Sequence, residues 1–339
     1  MINKAQIIES TVNDPYTNLA VETVLHHTCP EDCVVMYLWQ NENTVVIGRN
    51  QNAYGECNTE NIDAAGVRIA RRTTGGGAVF HDLGNLNFSF IYSKDNSDDM
   101  IPVEIIKAAC RSFGIDAEIT GRNDVTCMGR KFSGNAFCHH GNMILAHGTI
   151  MVDLDTSKLS GYLNVSREKL ASKGVKSVSS RVINLAEVCP GLTISAFKDA
   201  LKKAYSESFS GITEVISFDD IRTGREALAL AEKYASREWI FGGAKDFNVN
   251  MSRRFSWGGC EIKLLVRDHR IEESLIYSDA MDPGLIADIA AALKGRLFEY
   301  RSVSEALIEL KKRPRDEDCC HMFSLNPGEM ISDILELMK

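Results

Sequence analysis

The chain has 339 residues, 44% of them hydrophobic and 25% charged, with a formal net charge of −8. That length exceeds one ordinary domain and predicts two of unequal size, and the composition is that of a globular protein rather than a disordered or fibrous one. The negative charge argues against general nucleic-acid binding, and no apolar run approaches the length that spans a bilayer.

The opening residues, MINKAQIIESTVNDPYTN, carry Asn, Lys, Gln and Glu where a secretory signal needs a continuous apolar core, so a cytoplasmic protein is expected. The ten cysteines then read as reduced thiols, with no paired C-x-x-C spacing for zinc. The one cluster, CCH at 319–321, offers too few ligands and reads as a surface thiol pair.

In chain order, Asp14 as N-cap and Pro15 at the first helical position predict a helix with Leu19, Val24 and Leu25 on one face. CVVMYLWQ and NTVVIGRNQN read as adjacent strands turning at 41–43, and 67–70 as another strand. Segments 78–81 and 86–92 read as a hairpin around DLGN. The stretch RRTTGGGAVFHDLGN, 71–85, therefore sets three glycines between strands, directly after two arginines. Three glycines together cost stability unless something approaches the backbone closely. The expected visitor is an anion, held by exposed N–H groups with Arg71 and Arg72 beside them. Neither G-x-x-x-x-G-K-[ST] nor G-x-G-x-x-G is present, so P-loop and Rossmann readings fail.

Beyond residue 101, PVEIIKAACRSFG has helical spacing, and 118–154 alternates strands and turns. Within it, GRNDVTCMGRKFSGNAF places Lys131 between Gly129 and Gly134. Lys131 reads either as a solvated surface lysine or as an ammonium projecting into a cleft. Asp124 reads either as a turn residue or as a ligand for the magnesium that accompanies ATP. In HHGNMILAHGT, Gly141 and Asn142 predict a hairpin turn, and His147 is either a packed histidine or a catalytic base. The segment KLASKGVKSVSSRVINL, with Lys169, Lys173, Lys176 and Arg181, is a solvated basic loop or a flap over an anionic ligand. Segments 193–209 and 225–239 read as amphipathic helices and 242–245 as a linker. Strand-like runs at 254–257, 260–267 and 271–277 then precede helices beginning near Pro283, Ser302 and Pro327. No internal repeat is visible.

Taken together, these segments resemble the lipoate-protein ligase A family in its longer bacterial form. RRTTGGGAVFHDLGN is similar to that family's R-R-x-[ST]-G-G-G-x-V-x-H-D-x-G-N signature. GRND and GRKFSG resemble its lysine segment, and KGVKSVSSRVINL its adenylate loop. WIFGGAKDFNVNMSRRFSWG resembles the entry to an accessory domain, although Gly243-Ala244-Lys245-Asp246 replaces the usual Gly-Lys-[ST]-Pro.

The resemblance implies an α+β fold, a mixed sheet flanked by helices like that of biotin ligases and class II aminoacyl-tRNA synthetases. A catalytic domain over 1–245 and a small α/β accessory domain over 246–339 would follow. It implies ATP and Mg2+ as cofactors, lipoate as substrate and lipoyl-AMP as intermediate. The partners implied are lipoyl carrier domains of 2-oxoacid dehydrogenase complexes or the glycine cleavage H protein, with no nucleic acid and no membrane. By the same resemblance Lys131 is catalytic, and Arg72, Gly75, Gly76, Gly77, Ala78, Val79, Phe80 and Lys131 hold ATP. Lys131 and His147 would contact lipoate, and Asp124 the metal.

Two rivals remain at the level of residues. A thioester-forming transferase of the same fold would need an activated thiolate, for which Cys127 and Cys138 are the nearby candidates. A non-catalytic binder of lipoate or its carrier would release no pyrophosphate. Biotin ligases carry a G-R-G-R-x-G-R pattern that this chain lacks.

Overall fold

A computed structural model describes residues 2–95, 101–120, 124–164, 181–209, 213–242, 246–312 and 326–339. The segments holding Lys169, Lys173 and Lys176, the core of the 242–245 linker, and the CCH cluster lie outside the described residues.

The strands in chain order are β1 (Lys4–Glu9), β2 (Cys33–Trp39), β3 (Thr44–Ile47), β4 (Arg68–Arg71), β5 (Val79–His81), β6 (Asn85–Ser93), β7 (Glu118–Thr120), β8 (Asp124–Cys127), β9 (Arg130–His140), β10 (Met143–Met151), β11 (Thr213–Val215), β12 (Val249–Phe255), β13 (Gly258–Arg267) and β14 (Arg270–Ser278). They form an eight-stranded sheet in the order β11-β1-β2-β6-β10-β9-β8-β7, with β1 parallel to β2 and β11 and the remaining pairs antiparallel. A small sheet, β4-β3-β5, and the antiparallel β12-β13-β14 sheet complete the set.

β2 shows why the large sheet lies at the centre. All seven of its residues are buried: Val34, Met36 and Leu38 pack into one apolar cluster, and Cys33, Val35, Tyr37 and Trp39 into another. A strand with helices on both faces reads as an unbroken apolar run rather than an alternating one. The first cluster is closed by helices Ile101–Arg111 and Ile194–Ser208, the second by helices Pro15–Thr28 and Arg225–Ala235. Asp14 caps the first helix with its carboxylate on Thr17 N–H, 2.8 Å, as its sequence predicts. Thr193 caps Ile194–Ser208 on Ala196 N–H and brings Phe197, Leu201 and Tyr205 into full burial.

Two strand pairings expected from the sequence do not form. β2 belongs to the large sheet and β3 to the small one, and β5 and β6 part in the same way. The turns responsible carry the residues of hairpin turns but change layer. Asn43 takes a positive φ of 38°, and buried Asn41 accepts from Asn18 Nδ2 at 3.1 Å. At Gly84 a Cβ would stand 2.0 Å from Asp153 O, so this turn is pressed against the end of β10. β6 already has β2 and β10 on either side, which leaves β5 to pair with β3.

The C-terminal strands carry their own core. Cys260, Ile262 and Leu264 alternate into a cluster with Leu285, Ile289, Leu307 and Ile334 from helices Pro283–Leu293, Tyr300–Lys312 and Pro327–Leu337. The first strand runs Val249–Phe255 rather than 254–257, because the chain turns at Ser256 and Trp257 to pair Phe255 with Gly258.

Phe197→Ala should destabilise the fold by about 3–5 kcal/mol, since it empties a fully buried ring site. Leu228→Ala, on an exposed position of Arg225–Ala235, should stay within about 0.5 kcal/mol. Denaturant titration of both variants checks the contrast.

Candidate active site

Between the large and small sheets lies a cavity of about 420 Å³, within the range of small-molecule sites. Phe80, Ala136, Met151, Leu154, Leu159 and Leu163 make an apolar end, and Arg72, Gly76, Gly77, Lys131 and Asn135 a polar one. Of the predicted site residues, Arg72, Gly76, Gly77, Ala78, Val79, Phe80 and Lys131 line it; Gly75, Asp124 and His147 do not.

Lys131 reaches the cavity through a tight turn. Met128 and Gly129 both have positive φ, 52° and 71°, which sends β8 directly back into β9. A register shift between Val125 and Thr126 sets Lys131 opposite Thr126. The side chain then folds over Gly134, where a Cβ would lie 2.5 Å from Lys131 Nζ. Gly134 thus makes room for the lysine itself. Nζ is 2.6 Å from Asp124 Oδ1, and the lysine side chain keeps 22% exposure. Burial pulls the Lys131 pKa below its ordinary value, while Asp124 works the other way and favours the ammonium.

The other Asp124 oxygen pairs with Arg181. Both oxygens are engaged by cations, so Asp124 is a shared counter-ion of Lys131 and Arg181. No group of three His, Cys, Asp or Glu is placed to hold a metal among the described residues. A magnesium that arrives with ATP needs only one or two protein carboxylates beside the phosphates, so its hold by Asp124 stands as a proposal.

The two arginines also differ from expectation. Arg71 sends its donors to the carbonyls of Gly48, Arg49, Gln51, Trp239 and Ile240, tying the small sheet to helix Arg237–Phe241. Arg72 donates to Val46 O (3.3 Å), Gly75 O (2.7 Å), Gly77 O (2.9 Å) and Thr74 Oγ1 (3.0 Å). Burial lowers the Arg72 pKa to about 10, and the charge is kept at neutral pH. Arg72 lines the cavity while holding the glycine loop in shape.

His147 does not line the cavity. It is 5% exposed, with Nδ1 2.8 Å from Glu22 Oε1 and Nε2 2.7 Å from Thr74 Oγ1. The donors run one way: Arg72 Nε–H to Thr74 Oγ, Thr74 O–H to His147 Nε2, His147 Nδ1–H to Glu22. Both ring nitrogens are used, so His147 supports the loop from behind instead of lining the cavity. Glu22, fully buried on Pro15–Thr28, is a functional position missed in the sequence. Its signal was a carboxylate three residues from both Leu19 and Leu25, on the packed side of the helix.

The glycine loop itself serves a further neighbour. Gly76 has φ +90°, and Gly76 N–H donates to Ala280 O at 3.2 Å. A Cβ on Gly75 would stand 2.2 Å from the same oxygen. Room for the accessory strands, and not only for a ligand, therefore accounts for Gly75. Arg254, Trp257, Asp279 and Met281 join the cavity wall from that side.

A lysine and a glycine loop thus line a half-apolar cavity on a mixed sheet flanked by helices. Residues 14–206 match the model of the lipoyl protein ligase A/B catalytic domain, and 244–314 that of the bacterial lipoate protein ligase C-terminus. The chain belongs to the lipoyl protein ligase A/B family. It is 35% identical over 316 residues to the lipoate-protein ligase A of Bdellovibrio bacteriovorus, covering 91% of this chain and 93% of that one. The crystal structure of P. falciparum LipL1 in complex with lipoate superposes with a TM-score of 0.83 at 27% identity, over 98% and 99% of the two chains. A lipoate-protein ligase A bound with ATP matches with a TM-score of 0.59 at 25% identity, covering 71% of this chain and 99% of that one. The bipartite ligase of Thermoplasma acidophilum, described with its E2 lipoyl domain, matches at 28% identity and a TM-score of 0.60, over 74% and 100%.

Gly134→Ala should leave the melting temperature within a few degrees, because the clash falls on the end of a flexible side chain. It should nonetheless cut turnover about 100-fold by displacing the ammonium, as expected of small misplacements in a positioned site. Thermal melts and single-turnover kinetics on one preparation check both halves.

Proposed function

We infer that this chain joins lipoate to ATP and passes the lipoyl group to a lysine of a carrier domain. The observation that carries this reading is that Lys131, the glycine loop and a set of apolar side chains line one cavity. Lipoate fits that combination, with an alkyl chain and dithiolane for the apolar end and a carboxylate for the cation.

In activation a lipoate carboxylate oxygen attacks the α-phosphorus, the bond to the β-phosphate oxygen breaks, and pyrophosphate leaves. Two anions must meet for this to happen. Lys131 lies between them and offsets a repulsion that grows as charge builds in the transition state. Arg72 and His147 hold the loop so that the nucleotide finds a formed surface. In transfer the neutral amine of a carrier lysine attacks the carbonyl carbon of lipoyl-AMP, AMP departs, and the amine gives up a proton. We propose lipoyl domains of 2-oxoacid dehydrogenase complexes and the H protein as carriers, on the resemblance to lipoate ligases. We likewise propose that the catalytic unit ends near 245 and the accessory unit begins near 246, in keeping with the separate core around Ile262 and Leu285.

A cysteine-dependent transferase acting through Cys127 is disfavoured by the state of that thiol. Burial raises the Cys127 pKa, opposite to what a nucleophile needs.

Lys131→Ala should abolish lipoyl-AMP formation, read as lipoate-dependent pyrophosphate release, without unfolding the protein. Octanoate and biotin in the same assay define the acid accepted, and a pure binder would release none. The activity should also fall on the alkaline side with a midpoint below the ordinary lysine value of about 10.5, because burial lowers the Lys131 pKa and only the charged form serves. Lys131→Arg, which stays charged, should shift that limb upward if it retains measurable turnover.

A further inference from the structure

The accessory module is seated against the glycine loop by directed contacts. Gly76 N–H donates to Ala280 O (3.2 Å), Ser278 N–H to Asn50 O (2.9 Å), and Asn50 Nδ2 to Pro283 O (2.9 Å). This seat brings the turn between β12 and β13 to the mouth of the cavity. Arg254 is the one cation that the module contributes to the wall, among the described residues. It also borders a wider cleft of about 960 Å³ between the two parts of the chain, so it lines both spaces.

The turn is built around this side chain. Arg254 Nη1 lies 3.5 Å from Asp279 Oδ2, and the other oxygen of Asp279 accepts from Gly259 N–H at 2.7 Å. A Cβ on Gly258 would fall 2.8 Å from Asp279 Oδ1, and one on Gly259 3.4 Å from Arg254 Nη1. Two glycines without side chains thus admit an aspartate that aims an arginine. The Arg254 side chain keeps 23% exposure, toward the two spaces it borders.

Among the described residues, the cations that line the cavity from the catalytic part are already engaged. Arg72 spends four donors on the loop, and Lys131 and Arg181 share Asp124. A triphosphate brings several negative charges beyond the one that Lys131 faces. Arg254 has a fork geometry suited to phosphate oxygens and only a loose 3.5 Å partner to give up.

We propose that Arg254 is a phosphate-binding residue of the activation half-reaction, delivered by the accessory module to the β- and γ-phosphates of ATP and to the departing pyrophosphate. The proposal rests on the activity inferred above. Lys131 and the glycine loop take the acyl and α-phosphate end, and the wider cleft beyond Arg254 is the path by which pyrophosphate leaves. Transfer involves no pyrophosphate and does not need Arg254.

The test uses the full-length chain as wild type, Arg254→Ala, Arg254→Lys and Arg253→Ala. Arg253 pairs with Glu336 at 3.5 Å and borders only the wider cleft, so its variant is the neighbouring control. Calorimetry with inorganic pyrophosphate and magnesium chloride should show Arg254→Ala weakened about ten- to a hundredfold, the scale of a charged hydrogen bond to a phosphate, with Arg254→Lys intermediate. The KM for ATP should rise by a similar factor, while transfer from supplied lipoyl-AMP stays within about twofold and Arg253→Ala matches wild type. Unchanged pyrophosphate affinity and KM in a folded Arg254→Ala would overturn the proposal. So would an equal loss in both half-reactions, or a wild type that binds no pyrophosphate. Should Arg254→Ala fail to fold, Arg254→Lys decides by the same measurements. Wild-type protein that binds pyrophosphate but releases none from ATP with any acid would overturn the activity, while the calorimetric comparison would still decide the role of Arg254.

Discussion

The buried guanidinium of Arg72 is the constraint around which the site is built. It is 7% exposed and no carboxylate among the described residues pairs with it, a placement that costs several kcal/mol unless its donors are met. They are met by turning peptide carbonyls inward: Gly75 and Gly77 present their oxygens to one nitrogen, and Val46 presents its own to the other. A loop whose alternate carbonyls converge on one point needs backbone angles such as the φ of +90° at Gly76. The compensating charge stands further off, on Glu22, and is relayed through His147 and Thr74. Arginine, threonine, histidine and glutamate from three separated segments are thereby one unit, and the glycines are its consequence as much as any ligand's requirement.

A second balance sits at Asp124. One carboxylate between Lys131 and Arg181 leaves the trio with a net positive charge, at the place where two anionic substrates would meet. Burial alone would drive Lys131 toward its neutral form, and Asp124 opposes that. The pair thus keeps the ammonium charged without cancelling it. An isolated buried lysine would lose its proton, and two carboxylates would leave no field to act on a substrate.

Much of this was legible in the residues, and the exceptions have physical causes. Helix Pro15–Thr28 announced itself by its cap and proline, and Ile194–Ser208 by the spacing of Phe197, Leu201 and Tyr205. Lys131 and the glycine loop were visible because clustered glycines beside cations sacrifice backbone order that only a close approach to the backbone repays. Strand partners were not visible. Asn41–Asn43 and Asp82–Gly84 have the residues of tight turns, and such turns serve equally to pair two strands or to hand the chain to another sheet. The role of His147 was illegible for a different reason: whether a histidine faces a cavity or the back of a loop depends on Glu22, 125 residues away in sequence. Arg254 had no signal at all, since its significance comes from Gly75 and Ala280 bringing two parts of the chain together.

That junction is of modest strength. Its directed contacts among the described residues include the hydrogen bonds at Gly76, Asn50 and Ser278, each contributing about 0.5–1.5 kcal/mol net. Shape does the rest, because Gly75 admits Ala280 O where any side chain would refuse it. A seat of a few kcal/mol is small beside the binding energy of a nucleotide or of a folded partner domain, so ligands that touch both sides can favour or oppose it. Met281 and Trp257 line the cavity from the accessory side in this arrangement. Enclosure favours the step that must exclude water, and exposure the step that must admit a protein. The same glycines that let Arg72 be buried set the contact on which that choice depends.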